Sequence, residues 1–433
     1  MAFWNEEIET MPREGLEELQ SKLLRELVAD VYEKSTFYRE RMDAAGVKPS
    51  DIESRADIVK LPFMYKSDLR DNYPDKLFMR PYEELVRVHV SSGTTGKPTV
   101  VGYTRDDLEN WSESLARGMV SFGMGKGDML ENSHGYGLFT GGLGVHAAGE
   151  KIGVVMLPTS TGNTNRQIEL MVDLPVTAIA GTPSYIFHIA DVCEQRGVDI
   201  RKDTRLRKGI AGGEPWSESM RQKLQERTGI RVHNCYGASE MSGPMFLECS
   251  EQKGAHVWAD LCLMEILDEN DEPVEEGGRG QMVITMLKKR AFPLIRYKIG
   301  DISSITWEKC ACGRTHPRLD RISGRTDDML VVRGINVFPS QIEAVIGEMP
   351  FLSPFYHLTL DNVNYMDRLV VEAELAEDHL TEDMLKRSAM AKELDRRLKE
   401  VLNIRAEVKL VLPGTLKRFE GKGQRVTDNR TYE

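Results

Sequence analysis

The octapeptide Ser91-Ser92-Gly93-Thr94-Thr95-Gly96-Lys97-Pro98 lies between two stretches rich in β-branched residues, residues 86–90 and 99–103. Its glycines allow backbone conformations closed to other residues, and its hydroxyls, backbone N–H groups and lysine can surround phosphate oxygens. It is not a Walker A loop, because only two residues separate Gly93 from Gly96 and a proline follows the lysine. Taken alone, this composition leaves a phosphate-binding loop and a plain surface turn both open.

The length and composition of the chain exclude several classes of protein. A chain of 433 residues is long enough for more than one domain. The net charge of −11 argues against a nucleic-acid partner, since phosphate backbones attract clustered Lys and Arg. No apolar run approaches the roughly 18 residues of a membrane helix, and the acidic start does not resemble a signal peptide. We therefore expect a cytoplasmic protein with no membrane partner.

Hydrophobic periodicity predicts an α/β fold in two parts. Residues 1–80 show helical patterning, and short β-branched runs then alternate with helical segments, which is typical of a sheet with helices on its faces. Thr104 and Asp107 predict a capping box at the start of one helix. Beyond about residue 325 the pattern is strand, helix, strand, strand, helix, strand, with helices at 339–348 and about 382–401. We place the domains at 1–324 and 325–433.

Four further segments follow the octapeptide in a fixed order: Tyr236-Gly237-Ala238-Ser239-Glu240, Arg296-Tyr297-Lys298-Ile299-Gly300-Asp301, Ser323-Gly324-Arg325-Thr326-Asp327-Asp328 and Glu420-Gly421-Lys422. Together the five segments resemble the signatures of the adenylate-forming superfamily, which contains acyl-CoA synthetases, adenylation domains and luciferases. Residues 137–144, 211–214 and 333–339 resemble more narrowly the phenylacetate–CoA ligase family. The resemblance covers nearly the whole chain.

This resemblance implies a large N-terminal adenylate-forming domain with mixed β-sheets and flanking helices, joined by a hinge to a small C-terminal α+β domain. It implies an ATP-dependent ligase that activates an aryl carboxylic acid through acyl-AMP, transfers the acyl group to coenzyme A and releases AMP and pyrophosphate. The alternative is an adenylating enzyme that passes the acyl group or AMP to another acceptor, such as a carrier protein. A non-catalytic nucleotide-binding module is disfavoured, because Glu240, Asp301 and Lys422 are all present. The family also suggests a homodimer.

The resemblance also implies roles for individual residues. Lys422 would bridge the acyl carboxylate and the α-phosphate, although without the other motifs it would resemble a mobile tail lysine. Glu240 would hold Mg²⁺ with a hard carboxylate oxygen, Asp301 would bind the ribose hydroxyls, and Asp327 matches the hinge. The remaining nucleotide-binding positions are Ser91, Ser92, Gly93, Thr94, Thr95, Gly96, Lys97, Gly212, Gly213, Glu214, Asn234, Tyr236, Gly237, Ser239 and Arg325. For Tyr236 a packed core tyrosine is the alternative.

The acid pocket is expected around a glycine-rich segment from Tyr136 to Glu150. Its candidate lining residues are Tyr136, Phe139, Gly213 and Ala147. The alternative is a glycine-rich helix packed on the sheet. Typical family members carry a tyrosine where this chain has Ala147, so the smaller side chain leaves extra volume. The pocket would then take an acid larger than phenylacetate, such as a substituted aryl or indole acid, unless a neighbouring side chain fills the space.

Cysteines form a second pattern. Cys310 and Cys312 lie in a tight turn before a glycine, and Cys249 and His256 lie in another short loop. Together they match the Cys₃His ligand set of a structural zinc site, whose closed coordination would exclude a catalytic role. Two reduced thiols in the Cys310–Cys312 turn are the alternative, and His316 could replace His256.

Overall fold

The computed structural model of the chain describes residues 2–90, 99–138, 140–214, 216–325, 330–332, 335–363, 366–402, 404–418 and 425–430. The α-helices are α1 Glu6–Glu9, α2 Arg13–Lys34, α3 Thr36–Ala44, α4 Lys66–Asp71, α5 Arg105–Ser121, α6 Thr140–Lys151, α7 Thr164–Asp173, α8 Pro183–Gln195, α9 Ile200–Asp203, α10 Glu218–Thr228, α11 Pro339–Glu348 and α12 Met384–Leu402.

The strands are β1 Arg87–Val90, β2 Val100–Tyr103, β3 Met129–Asn132, β4 Val155–Leu157, β5 Ala178–Gly181, β6 Lys208–Gly212, β7 Arg231–Ala238, β8 Gly243–Leu247, β9 Ala255–His256, β10 Cys262–Leu267, β11 Gly280–Met286, β12 Tyr297–Ser303, β13 Ile305–Thr306, β14 Arg318–Leu319, β15 Gly324–Arg325, β16 Leu330–Val332, β17 Ile335–Val337, β18 Leu352–Val363, β19 Met366–Leu375, β20 Glu407–Val411 and β21 Val426–Asp428.

The chain forms two compact units. Unit 1 comprises Met1–Gly181, Lys202–Gly213 and His233–Arg321, and unit 2 comprises Thr182–Arg201, Glu214–Val232 and Ile322–Glu433. Unit 2 therefore includes α8 and α10 as well as the C-terminal part of the chain. The domain boundary predicted near 325 stays a prediction.

Unit 1 is built on a six-stranded sheet with the order β4-β3-β5-β6-β7-β8. Strands β4, β3, β5 and β6 run parallel, and β8 pairs antiparallel with β7. All four residues of β5 are buried, as expected for a parallel strand covered on both faces. The α/β prediction is confirmed. Strand β3, which the sequence pattern did not reveal, lies inside this sheet.

Local signals set the helix boundaries in unit 1. The predicted capping box of α5 is confirmed: the Thr104 hydroxyl accepts from the Asp107 N–H at 3.2 Å, and the Asp107 carboxylate accepts from the Thr104 N–H at 2.9 Å. The helical pattern of residues 14–38 corresponds to two helices, α2 and α3. Ser35 separates them because its hydroxyl accepts from the Tyr38 N–H and caps the second helix.

Shorter antiparallel ladders complete unit 1. Strands β1 and β2 form a hairpin, β10 and β12 flank β11, and β9 pairs with β14. The last pairing sets His256 opposite Arg318, which brings the loop before β9 close to the loop before β14.

Unit 2 carries a four-stranded sheet with the order β20-β19-β18-β21. The predicted helix at 339–348 coincides with α11, and the second predicted helix corresponds to α12. Helix α10 packs on the α11 end of this unit, where Lys223 Nζ donates to the carbonyl oxygens of Met349 and Leu352 at 3.2 Å each. The core is apolar and includes Ile342, Val345, Ile346, Leu358, Leu360, Leu369, Val371, Leu394 and Leu398.

Candidate functional site

A tyrosine–carboxylate pair joins strands β7 and β12. The Tyr236 hydroxyl donates to Asp301 Oδ2 at 2.5 Å, and Asp301 is only 5% exposed. The Tyr236 ring stacks on Phe246 of the neighbouring strand, with centroids 6.4 Å apart and an interplanar angle of 15°. The hydrogen bond fixes the orientation of a carboxylate that can accept several donors at once, as binding of a diol requires.

Two glycines allow the backbone segments beside this pair to approach closely. A Cβ atom on Gly212 would lie 2.2 Å from the Cys235 carbonyl oxygen, and one on Gly237 would lie 1.9 Å from the Gly243 carbonyl oxygen. Gly213 has φ +86°, a conformation that L side chains rarely adopt. Glycine is therefore required at positions 212 and 237 because neighbouring backbone carbonyl groups occupy the space that a side chain would take.

Buried side chains hold the turn that carries Glu240. The Tyr103 hydroxyl donates to the Ser239 carbonyl oxygen at 3.3 Å, and Lys289 Nζ donates to the Glu240 carbonyl oxygen at 2.5 Å. Lys289 is 2% exposed, and its Nζ lies 5.0 Å and 5.2 Å from the ring centroids of Tyr103 and Phe292. Burial lowers the pKa of Lys289 to about 7. This residue was not predicted from the sequence, where its only signal was a lysine beside an apolar stretch.

Tyr136 is held by polar groups of β3 and α6. Its hydroxyl accepts from Asn132 Nδ2 at 2.8 Å and lies 3.0 Å from His146 Nδ1, and Asn132 Nδ2 also donates to the Gly142 carbonyl oxygen. Burial raises the pKa of Tyr136 to about 12. The tyrosine is therefore neutral at ordinary pH and fixes the start of α6 against the sheet.

Ala147 borders a cavity of about 430 Å³ in unit 1. Its walls come from β1, α5 and α6, and among the described residues they are Arg87, Arg105, Leu108, Glu109, Trp111, Ser112, Gly144, Ala147, Glu150 and Lys151. Half of these side chains are charged, and the cavity is open to solvent. Tyr136 and Gly213 are not among these walls. Burial lowers the pKa of Arg87, which is half-buried on the cavity wall.

The structure brings part of the predicted nucleotide site together in unit 1. Asn234 lies on the same strand as Tyr236, β7, and its N–H donates to Glu248 Oε2 at 2.8 Å. Glu214 and Arg325 belong to unit 2, where Glu214 Oε1 accepts from the Ser184 N–H at 2.6 Å. The predictions for the octapeptide Ser91 to Pro98, for Phe139, for Asp327 and for Lys422 fall outside the described residues.

The predicted metal ligands converge. The ligand atoms of Cys249, His256, Cys310 and Cys312 all lie within 4.8 Å of one another, and all four residues are buried. His316 is occupied elsewhere, because its Nδ1 accepts from the Ala259 N–H at 3.0 Å and its Nε2 lies 2.9 Å from the Ile8 carbonyl oxygen. His256 is therefore the histidine of this group.

Comparisons with known proteins match the chain over its whole length. Residues 16–286 match the family model of AMP-binding enzymes, and residues 334–430 match that of the AMP-binding enzyme C-terminal domain. The chain is 42% identical to a phenylacetate-coenzyme A ligase of Thermus thermophilus, with 99% of this chain and 100% of that one covered. It is 41% identical to the corresponding Escherichia coli ligase, covering 98% and 97%.

A solved structure of similar fold is 2-hydroxyisobutyryl-CoA ligase in the postadenylation state, in complex with R3-HIB-AMP. The TM-score is 0.92 at 29% identity, with 99% of this chain and 92% of that chain covered. Within the described part of the chain, no helix is both long and apolar enough to cross a lipid bilayer.

Proposed function

This chain belongs to the phenylacetate–CoA ligase family of AMP-binding enzymes, and from that premise we propose that it activates an aryl acid larger than phenylacetate. It is an ATP-dependent acid–CoA ligase that acts through an acyl-AMP intermediate. The acid's carboxylate attacks the α-phosphorus of ATP and releases pyrophosphate, and the thiol of coenzyme A then attacks the acyl carbon and releases AMP. The observation that supports a larger acid is Ala147, which stands where typical family members carry a tyrosine and which borders the open cavity.

The nucleotide half of the proposed site rests on Asp301 and Tyr236. We assign the ribose hydroxyls to the Asp301 carboxylate, whose orientation is set by the Tyr236 hydroxyl. Gly212, Gly213 and Gly237 are assigned to the adenine ring by family resemblance. Glu214 and Arg325 are assigned to the nucleotide by family resemblance, as are the octapeptide Ser91 to Pro98, Asn234 and Ser239.

Charge neutralisation is the main requirement of the first half-reaction, because an anionic carboxylate approaches a polyanionic nucleotide. We assign this task to Lys97 at the pyrophosphate end and to Lys422 at the α-phosphate. Glu240 fits a magnesium ligand, since it offers a half-buried carboxylate on a turn held from beneath by Lys289. Magnesium, when bound there, supplies further neutralisation of phosphate charge.

The acid pocket is tested by pyrophosphate release across a panel of acids, with and without coenzyme A. The panel compares phenylacetate, ring-substituted phenylacetates and indole-3-acetate, using the wild type, Ala147→Tyr and, as the control, Ala147→Ser. We expect the wild type and Ala147→Ser to accept the larger acids and Ala147→Tyr to retain only phenylacetate, because the tyrosine ring would occupy the cavity. An Ala147→Tyr variant with an unchanged acid preference would refute the pocket assignment.

The same assay addresses the acceptor of the acyl group. Thioester formation that requires coenzyme A is the expected result. Acyl transfer indifferent to coenzyme A would instead indicate a carrier protein or another acceptor.

Two properties of the whole protein are also proposed. All six cysteines are free rather than disulfide-bonded, which agrees with a reducing cytoplasmic location. A homodimer is carried over from the family, and light scattering on the purified full chain would measure it directly.

A further inference from the structure

Three cysteines and one histidine from two separate segments of unit 1 face one another in a buried cluster. Cys249 and His256 come from the segment that leads from β8 into β9, and Cys310 and Cys312 come from the loop between β13 and β14. None of the four side chains is more than 3% exposed. The residues assigned to ATP and to the acid do not include any of them, so those assignments leave this cluster unexplained.

The spacing of the ligand atoms matches a tetrahedral metal site. Zinc binds sulfur at about 2.3 Å and imidazole nitrogen at about 2.0–2.1 Å, so tetrahedral coordination sets S–S edges of about 3.8 Å and S–N edges of about 3.6 Å. The Sγ atoms of Cys249 and Cys310 are 3.7 Å apart, and Cys312 Sγ lies 3.3 Å from His256 Nε2. From this geometry we infer that Cys249, His256, Cys310 and Cys312 bind one structural zinc ion.

A disulfide and an apolar thiol cluster both fit this geometry less well than a metal site. A disulfide needs an S–S distance of about 2.05 Å, and pairing two of the cysteines would leave the third thiol and the imidazole facing the bridge. Hydrogen bonds between reduced thiols and the imidazole account for single contacts, whereas a shared ion accounts for the convergence of all four ligand atoms within 4.8 Å of one another. Thiolate-rich tetrahedral sites with one imidazole select zinc, and four protein ligands leave no open position for catalysis.

Backbone geometry prepares the two loops for the ion. The Gly313 N–H donates to the Cys310 carbonyl oxygen at 3.0 Å, and Gly313 adopts φ +86°, so the turn that presents both cysteines requires glycine at this position. The β9–β14 ladder holds His256 opposite Arg318. The His256 ring stacks on Trp258 with an interplanar angle of 20°, which orients Nε2 toward the thiols.

The residues that follow the second cysteine hold the N-terminal segment of the chain. Arg314 and Glu9 form a fully buried ion pair at 2.6 Å, and Arg314 also donates to the Ala2 carbonyl oxygen. Thr315 donates to the Met11 carbonyl oxygen, and His316 lies against the Ile8 carbonyl oxygen. The contacts that Arg314, Thr315 and His316 make with residues 2–11 are called here the N-terminal clasp. A zinc ion that fixes the 310–313 turn therefore also fixes this clasp.

The first test is metal analysis of the full-length protein, using the wild type, Cys312→Ser, His256→Gln and, as the control, Cys262→Ala. Cys262 is buried but lies outside the cluster. We expect one zinc per chain in the wild type and the control, and its loss in the two ligand variants. A wild type purified without zinc, or ligand variants that keep it, would overturn the inference.

Cobalt replacement keeps the test decisive if the ligand variants do not fold. Wild-type protein exchanged into Co²⁺ should show thiolate-to-cobalt charge transfer and the intense visible bands of tetrahedral coordination. The weak bands of an octahedral, oxygen-ligated ion would contradict a Cys₃His site.

Hydrogen exchange tests the zinc site independently of the catalytic site. Removal of zinc by a chelator, with excess Mg²⁺ present, should increase amide exchange in residues 249–256, 308–316 and 2–11, and added Zn²⁺ should restore protection. An unchanged exchange pattern at residues 2–11 would refute the proposed link to the N-terminal clasp. These readouts do not depend on which acid the enzyme activates.

Discussion

Lys289 is a buried lysine whose hydrogen bond reaches the turn that carries the proposed magnesium ligand. Its replacement by methionine keeps most of the volume but removes the bond to the Glu240 carbonyl oxygen. A lost hydrogen bond that leaves its partner unsatisfied costs about 1–3 kcal/mol, so we expect kcat/KM for ATP to fall about 5–100-fold. The measurement is steady-state kinetics with ATP varied at saturating acid.

The neighbouring Lys288 supplies the control, because its side chain is 32% exposed and pairs with Asp260 at 3.6 Å. Lys288→Met should leave the kinetics of ATP nearly unchanged. An equal effect of both substitutions would show that Lys289 does not position Glu240.

Substitutions at Asp301 and Tyr236 are expected to lower kcat/KM for ATP by different amounts. Asp301→Asn removes the charge that we assign to the ribose hydroxyls and should lower kcat/KM for ATP about 10–100-fold, whereas Tyr236→Phe removes only the orienting hydrogen bond and should cost about 3–10-fold. Neither change should alter the KM for the acid. The exposed Tyr82 provides a control through Tyr82→Phe, and the reverse order of effects would contradict the assigned roles.

At the scale of elements, strand β3 contains an acidic side chain inside the sheet. Glu131 is fully buried, its Oε2 atom has no partner among the described residues, and burial raises its pKa to about 8. The folded state thus keeps a proton that the unfolded chain releases near pH 4.3. The stability that this group contributes is present below that pH and is lost as the pH rises through about 8.

Glu131→Gln should therefore become more stable than the wild type as the pH increases. The difference in the free energy of unfolding should grow by up to about 1.4 kcal/mol per pH unit between pH 5 and 8. Denaturant unfolding at several pH values measures it. The exposed Glu18, changed to Gln, should show no such trend, and a difference independent of pH would rule out the proton linkage.

Helices α5 and α6 meet at a glycine. A Cβ on Gly144 would lie 2.2 Å from Cζ2 of Trp111, which is 2% exposed. Gly144→Ala should therefore destabilise unit 1 by about 1–3 kcal/mol through overpacking. Gly125→Ala, where nothing lies within 4 Å, is the matched control. Thermal unfolding compares the two, and equal melting temperatures would contradict the tight packing.

Local sequence signals predicted some elements well and others not at all. The capping box at Thr104 was predictable because both partners lie within four residues. The ligand set Cys249, His256, Cys310 and Cys312 was predicted from residue types, although the pairing of β9 with β14 that brings its two halves together is not encoded in the spacing along the chain. Lys289, by contrast, was missed, because its partner Glu240 is 49 residues away.

At the scale of the molecule, the two half-reactions are expected to use different surfaces of the C-terminal part. We propose that Lys422 acts in the adenylation half, so Lys422→Ala should lower acyl-AMP formation about 100–1000-fold, the range seen when one electrostatic stabiliser is removed. Thioester formation from supplied acyl-AMP should fall much less. Pyrophosphate exchange and thioester formation measure the halves separately. The exposed Lys399 of α12, changed to Ala, is the control, and equal losses in both halves would contradict the role.

The N-terminal clasp also bears on how the chain is made. Glu9 and Arg314 are 305 residues apart, so the first helix leaves the ribosome long before its partner exists. Domains form as their segments emerge during synthesis, and contacts between distant residues close last. Unit 1 is therefore completed only after residue 316 has been translated, and the segment around Glu9 docks long after its own synthesis.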